Sequence, residues 1–152
     1  MTVANRGIVR PPIVYGSVIA AGLALELGWP APFLPGVLAG VLGTLLVLTA
    51  LAAFFYSVRT FEAAGTPVPG NLPTTAIVRT GPYRFSRNPI YLAFSIFHLG
   101  IAGWVNGAWL LATLVAAIAV MSLVVIPREE RYLEKRFGAD YLDYKRSVRR
   151  WL

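Results

Sequence analysis

The sequence predicts an all-α polytopic membrane protein with four transmembrane helices plus short cytosolic C-terminal helices. Three observations carry that expectation. Hydrophobic residues make up 57% of the chain and charged ones 14%, whereas a soluble domain carries about a quarter charged. The apolar residues gather into four blocks, and the basic residues stay out of the two short turns that join those blocks in pairs.

The first block runs from about residue 12 to 27, behind Arg6 and Arg10. A signal peptide begins in the same way, but no small-x-small cleavage site follows, and its removal would leave an odd number of spans. The second block covers about 33–57, the third 89–103 and the fourth 108–126. A helix needs roughly 20 residues to cross a hydrocarbon core about 30 Å thick. The second and fourth blocks reach that length, and the first and third borrow from their flanks. Gly28-Trp29-Pro30-Ala31-Pro32 and Trp104-Val105-Asn106-Gly107 read as tight turns, giving two helical hairpins. Gly36, Gly40 and Gly43 read as small-residue packing positions on the second helix. Residues 65–73, with three prolines and two glycines, read as a loop, and 127–152 as a tail of the single domain 1–152.

The charges give the orientation. Lysines and arginines lie in the N-terminal stretch (Arg6, Arg10), after the second block (Arg59, Arg79, Arg84, Arg87) and in the tail, which holds the other eight. With four spans these regions share one face, which the positive-inside rule makes cytoplasmic. Trp29, Trp104 and Trp109 then mark the opposite interface. Both termini are expected in the cytoplasm of a bacterial or archaeal cell, beneath its inner membrane. The net charge of +7 flanks apolar blocks, so its partner is the anionic surface of the lipid bilayer and not nucleic acid. The absence of cysteine excludes disulfides, thiolate metal sites and a cysteine nucleophile, and no metal is expected.

Three groups of residues can carry chemistry. In Thr80–Tyr91, Gly81-Pro82 is a turn and Asn88-Pro89 a helix start, with Asn at the N-cap and Pro at the first helical position. That helix N-terminus opens at the membrane surface beside Arg84 and Arg87, where it suits a carboxylate or phosphate, or equally an interfacial anchor. In the tail, Glu130, Leu133 and Phe137 have helical spacing, Gly138 is a stop, and a second short helix puts Tyr141 and Tyr144 on one face. Glu130–Glu134 and Arg131–Lys135 are like-charge neighbours, which points to a distant partner for Glu129 or Glu130. Within the third block Tyr91, Ser95, His98 and Ala102 form a polar stripe facing the bundle. His98 reads by default as a buried histidine bonded to a neighbouring helix. Ser95 and His98 are also the candidate substrate-pocket residues.

Together these runs resemble a known family. Gly81-Pro82-Tyr83-Arg84-Phe85-Ser86-Arg87-Asn88-Pro89-Ile90-Tyr91 is similar to a signature of the isoprenylcysteine carboxyl methyltransferase and phospholipid methyltransferase superfamily. The acid pair Glu129-Glu130, with Leu133, Phe137-Gly138, Tyr141, Tyr144, Val148 and Arg150 after it, resembles that superfamily's C-terminal motif. The resemblance covers about residues 75–152. It implies a membrane-embedded methyltransferase using S-adenosyl-L-methionine, with a lipophilic small molecule or lipid-modified substrate. Carried over, Arg87, Asn88 and Tyr91 lie at the cofactor's amino-acid end, with Tyr83, Pro89 and Leu92 beside them. Glu129 and Glu130 bind cofactor or line the reaction site, with Arg128 as a further catalytic candidate, and Tyr141 and Tyr144 close the pocket. Asn88 stands where the prenylcysteine branch typically has His. The Gly-x-Gly of phosphatidylethanolamine methyltransferases is replaced by Gly100-Ile101-Ala102-Gly103.

Methyl transfer from a sulfonium requires alignment above all. A carboxylate nucleophile needs desolvation and an orienting cation, for which Arg128 or Arg146 are candidates. An amine needs a base, for which Glu129 or Glu130 are candidates. The leading expectation is O-methylation of a lipophilic carboxylate. Phospholipid N-methylation, S-methylation of a small thiol and a catalytically silent scaffold are the alternatives.

Overall fold

A computed structural model describes residues 10–68 and 73–152. Arg6, and residues 69–72 of the expected loop, lie outside them. The described residues form helices α1 (Pro11–Gly28), α2 (Gly36–Ala63), a 3-10 turn (Gly81–Arg84), α3 (Pro89–Val105) and α4 (Ala108–Val120). A π-helical turn (Met121–Val125) leads into α5 (Ile126–Phe137), and α6 (Ala139–Ser147) follows.

Among the described residues three helices are long and apolar enough to cross a membrane: α1, α2, and the continuous rod Ala108–Phe137. At about 1.5 Å per residue the 30-residue rod is about 45 Å long, so it outruns a hydrocarbon core. Its apolar part ends near Ile126, and from Pro127 onward the rod is charged. α3 is apolar but has 17 residues.

Of the two expected hairpins the second packs, α3 against α4, and the first does not. α1 lies against α4 and α2 against α3, and α1 and α2 make no substantial contact with each other. The connection is longer than the expected tight turn, because Leu34 precedes Pro35 and is pushed out of the helical region, so α2 starts at Gly36. Of the three glycines on α2, only Gly43 is a packing position. A methyl there would meet Trp104 and Gly100 backbone atoms at 2.7 and 2.8 Å, whereas Gly36 and Gly40 face open space. Gly103 answers it from α3, with Gly43 Cα 2.8 Å from where its Cβ would stand.

The turns remote from the basic segments are tied by one acid that the charge map overlooks. Glu26, buried near the end of α1, accepts the backbone N–H groups of Ala31 (3.0 Å) and Trp109 (2.7 Å). Trp109 lies in the first turn of α4, where a carboxylate complements free N–H groups and the helix dipole. Asn106 joins the same turns, accepting from Phe33 and Leu34 N–H and donating to the Leu34 carbonyl.

The expected end of α5 is where the sequence placed it. Gly138 has φ +55°, a conformation an L side chain rarely adopts, and the chain turns there into α6.

Candidate functional site

The basic segments and the tail meet at the end of α3. Pro89 starts that helix with its fixed φ, and Asn88 occupies the N-cap position. The Asn88 side chain does not cap; its Nδ2 donates to the Arg150 carbonyl at 2.9 Å, and its own N–H donates to Ser86 Oγ at 3.1 Å. The segment after α6 therefore lies beside residues 86–88, with an isolated bridge between Ser86 and Arg149.

A cavity with about 720 Å³ of empty space, its open mouth included, lies where these segments converge. From the motif around α3 it is lined by Tyr83, Arg87, Asn88, Pro89 and Tyr91. From the tail come Glu129, Glu130, Leu133, Tyr141 and Tyr144. The sequence motifs, separated by a helical hairpin, thus share one space. Leu92, Ser95, His98 and Arg128 are outside its lining. Ser95 Oγ is 2.7 Å from Tyr15 Oη, His98 Nε2 is 3.4 Å from Thr113 Oγ1, and Arg128 is exposed. The polar stripe on α3 does face the bundle, where Ser95 and His98 Nε2 meet neighbouring helices and Tyr91 alone of the stripe's polar residues lines the cavity.

The two glutamates have different surroundings. Glu130 is buried and takes Arg87 at 3.0 Å, Arg150 at 2.8 Å and Lys145 at 3.6 Å, so three cations share it. Lys145 also reaches Glu134 at 2.6 Å, which gives the second like-charge acid its partner. Glu129 receives a proton donor: Tyr91 Oη donates to its two oxygens at 2.9 and 3.1 Å. Burial pushes the Glu129 carboxyl up to about 7, the Tyr91 bond pulls it down, and the Glu130 charge adds to the rise.

The aromatic wall is fixed from several sides. Tyr144 Oη donates to the Tyr83 carbonyl at 2.8 Å, and burial pushes the Tyr144 phenol up to about 12. Burial also raises Tyr83 and Tyr141. Tyr83 Oη and Arg87 Nε are buried with no hydrogen-bond partner, and both residues line the cavity. Unmet donors beside a largely apolar cavity suit acceptor oxygens of a ligand.

Sequence reasoning missed several participants. Phe61 lines the cavity and meets Tyr83 edge-on at 4.8 Å between ring centroids. Its signal was the spacing Phe54, Ser57, Val58, Phe61, which carries a helical stripe past the end of the apolar block. Tyr15 on α1 supports the site from behind, donating to the Tyr91 carbonyl at 3.2 Å. Arg150 and Lys145 meet the acids, and Arg146, a candidate for orienting a substrate carboxylate, pairs with Asp143 on the exposed side of α6.

The profile of the family described as phospholipid methyltransferase matches residues 38–140. An uncharacterised protein of Haemophilus influenzae is 36% identical over 63 residues, which is 41% of this chain and all of that protein. The nickel-cobalt-cadmium resistance protein NccN of Alcaligenes xylosoxydans xylosoxydans is 33% identical over 75 residues, 49% of this chain and 35% of that one. No solved structure matches the chain.

Proposed function

Because the chain belongs to the phospholipid methyltransferase family, we propose that it methylates the amine of a lipophilic substrate, using S-adenosyl-L-methionine, at the cavity between α3 and the tail. The observation that carries this reading is the split between the two acids. Glu129 is half-buried, bonded by a phenol, and held near 7, where a carboxylate serves as a proton acceptor around neutrality.

The residues present fit the cofactor. Tyrosine faces suit a sulfonium, and the Glu129 carboxylate suits positive charge. The unmet donors of Tyr83 and Arg87, with the start of α3, suit a carboxylate. When bound, S-adenosyl-L-methionine supplies an electrophilic methyl on a positively charged sulfur. Glu129 would take the proton from the substrate ammonium and so leave the nitrogen lone pair free to act as the nucleophile. Tyr91 holds Glu129 in place, and Glu130 is tied up by its three cations.

The same geometry weighs against a carboxylate substrate. Among the described residues Arg87 is the one basic residue in the cavity lining, and with a terminal nitrogen on Glu130 and its Nε assigned to the cofactor carboxylate it has none left for a second carboxylate. We read α3 as a fourth crossing, with termini and cavity in the cytoplasm, so that a lipid amine reaches the site from the bilayer.

The test is methyl transfer from radiolabelled cofactor to phosphatidylethanolamine against a farnesylcysteine analogue. Labelling of the amine lipid, lost in Glu129→Gln, is expected. Labelling of the farnesylcysteine carboxylate alone would overturn the amine reading. Absence of any binding of S-adenosylhomocysteine would overturn the methyltransferase reading altogether.

A further inference from the structure

The segment following α6 is held at three separate places. Its backbone accepts the Arg87 N–H at 2.9 Å and the Asn88 side chain at 2.9 Å. The Trp151 indole donates to Ser122 Oγ at 3.1 Å. Between these, the Arg150 guanidinium forks. Its Nε and one terminal nitrogen reach the two oxygens of Glu130 at 3.1 and 2.8 Å, and the other terminal nitrogen reaches the Ser122 carbonyl at 3.4 Å.

The Ser122 carbonyl is open for a reason written in the helix. In the π turn each N–H reaches back five residues, as Ile126 N–H does to the Met121 carbonyl. The next donor in that register would be residue 127, a proline, which has no N–H. Arg150 supplies the missing donor. One side chain thereby braces the helix across its proline, from Ser122 within the π turn to Glu130 beyond it.

Glu129 rides on the braced turn. It is faced by Tyr91 from α3, Tyr83 from the 3-10 turn and Tyr141 from α6, with Glu130 beside it. Any loss of cation from Glu130 leaves more negative charge next to Glu129.

We propose that Arg150 is a positioning residue for Glu129: by holding Glu130 and the Ser122 carbonyl together, it fixes the turn that delivers Glu129 to the cavity and balances the neighbouring charge. The catalytic role of Glu129 rests on the function proposed above, but the brace does not.

The test therefore uses two readouts that need no ligand. Infrared titration of the carboxyl band, assigned by difference from Glu129→Gln, follows the Glu129 proton. Emission of Trp151, in a chain with Trp29, Trp104 and Trp109 replaced by Phe, follows docking of the tail. Arg150→Gln is expected to move the Glu129 midpoint up by about one pH unit and to shift Trp151 emission to the red. Arg150→Lys is expected to restore most of the midpoint, because the charge returns. Its Trp151 emission should stay red, because an ammonium cannot fork to both acceptors. An unmoved midpoint in Arg150→Gln overturns the proposal. Should that variant not fold, blue, wild-type-like Trp151 emission in Arg150→Lys overturns it instead. Failure of wild type to bind S-adenosylhomocysteine, with both shifts present, sinks the methyltransferase reading and leaves the brace standing.

Discussion

A carboxyl group keeps its proton when burial removes water and no cation takes the water's place, and Glu129 meets that condition where Glu130 does not. Folding lifts Glu129 from 4.5 to about 7, so between those values the native chain holds a proton that the unfolded chain has released. Stability from this group therefore falls as pH rises from about 4.5 to about 7, and is level above. Glu129→Gln, which cannot ionise, is expected to lose that slope and to melt higher than wild type on the alkaline side, while methyl transfer disappears. Equal or lower melting there would contradict the burial argument. Tyr91→Phe removes the bond that lowers the Glu129 carboxyl, so the pH at which cofactor affinity or turnover rises should move upward. A profile shifted downward, or unmoved, would contradict it. At this scale the sequence was half legible. The acid pair stood out because like charges recur at helical spacing. Nothing local says which glutamate meets Arg87 and Arg150, since those partners are 43 and 20 residues away (130 − 87, 150 − 130).

Helices were the most legible objects, because their start and stop signals are local. Asn88-Pro89 opens α3 and Gly138 closes α5, as the residues themselves dictate. Their packing partners were less legible, and the three glycines of α2 show why: spacing alone cannot tell which side meets a neighbour. Gly43→Ala or Gly103→Ala places a methyl within 3 Å of backbone atoms that cannot rotate away. Each is expected to cost about 1–3 kcal/mol of stability, read as a lowered melting temperature in detergent. Gly40→Ala meets nothing within 4 Å and should be neutral or slightly stabilising, since alanine favours helix. Equal losses at positions 40 and 43 would show that the α2–α3 approach is not as close as described.

Across the whole molecule, the segregation of basic residues from the Glu26 turns predicts which segments share a compartment. The chain contains no cysteine, so single cysteines report topology directly. Gly28→Cys and Val105→Cys, both at exposed positions, should label from outside intact cells with an impermeant maleimide. Arg84→Cys and Arg136→Cys should label only after permeabilisation. Labelling of positions 84 and 105 from the same side would mean that α3 does not cross. The charge pattern predicts this arrangement. It did not reveal that α1 packs on α4 and α2 on α3, because lipid-facing and helix-facing apolar residues look alike when both solvents are oily.

The π turn has a consequence for how much of this chain can change length. An α-helix advances about 100° per residue, and a π turn fits one extra residue into the same rotation. Drawn as regular helix, the same sequence would swing Glu129 and Glu130 around the rod by most of a right angle, off the cavity and away from Arg150. The turn is thus a phase corrector between the membrane-embedded rod and the chemistry beyond it. Removing Leu123, whose side chain is 77% exposed, should let α4 run straight into α5 with both acids still facing inward. Removing Leu133, one turn past them, should send Tyr141 and Tyr144 astray. A chain that loses one residue here has somewhere to absorb the loss.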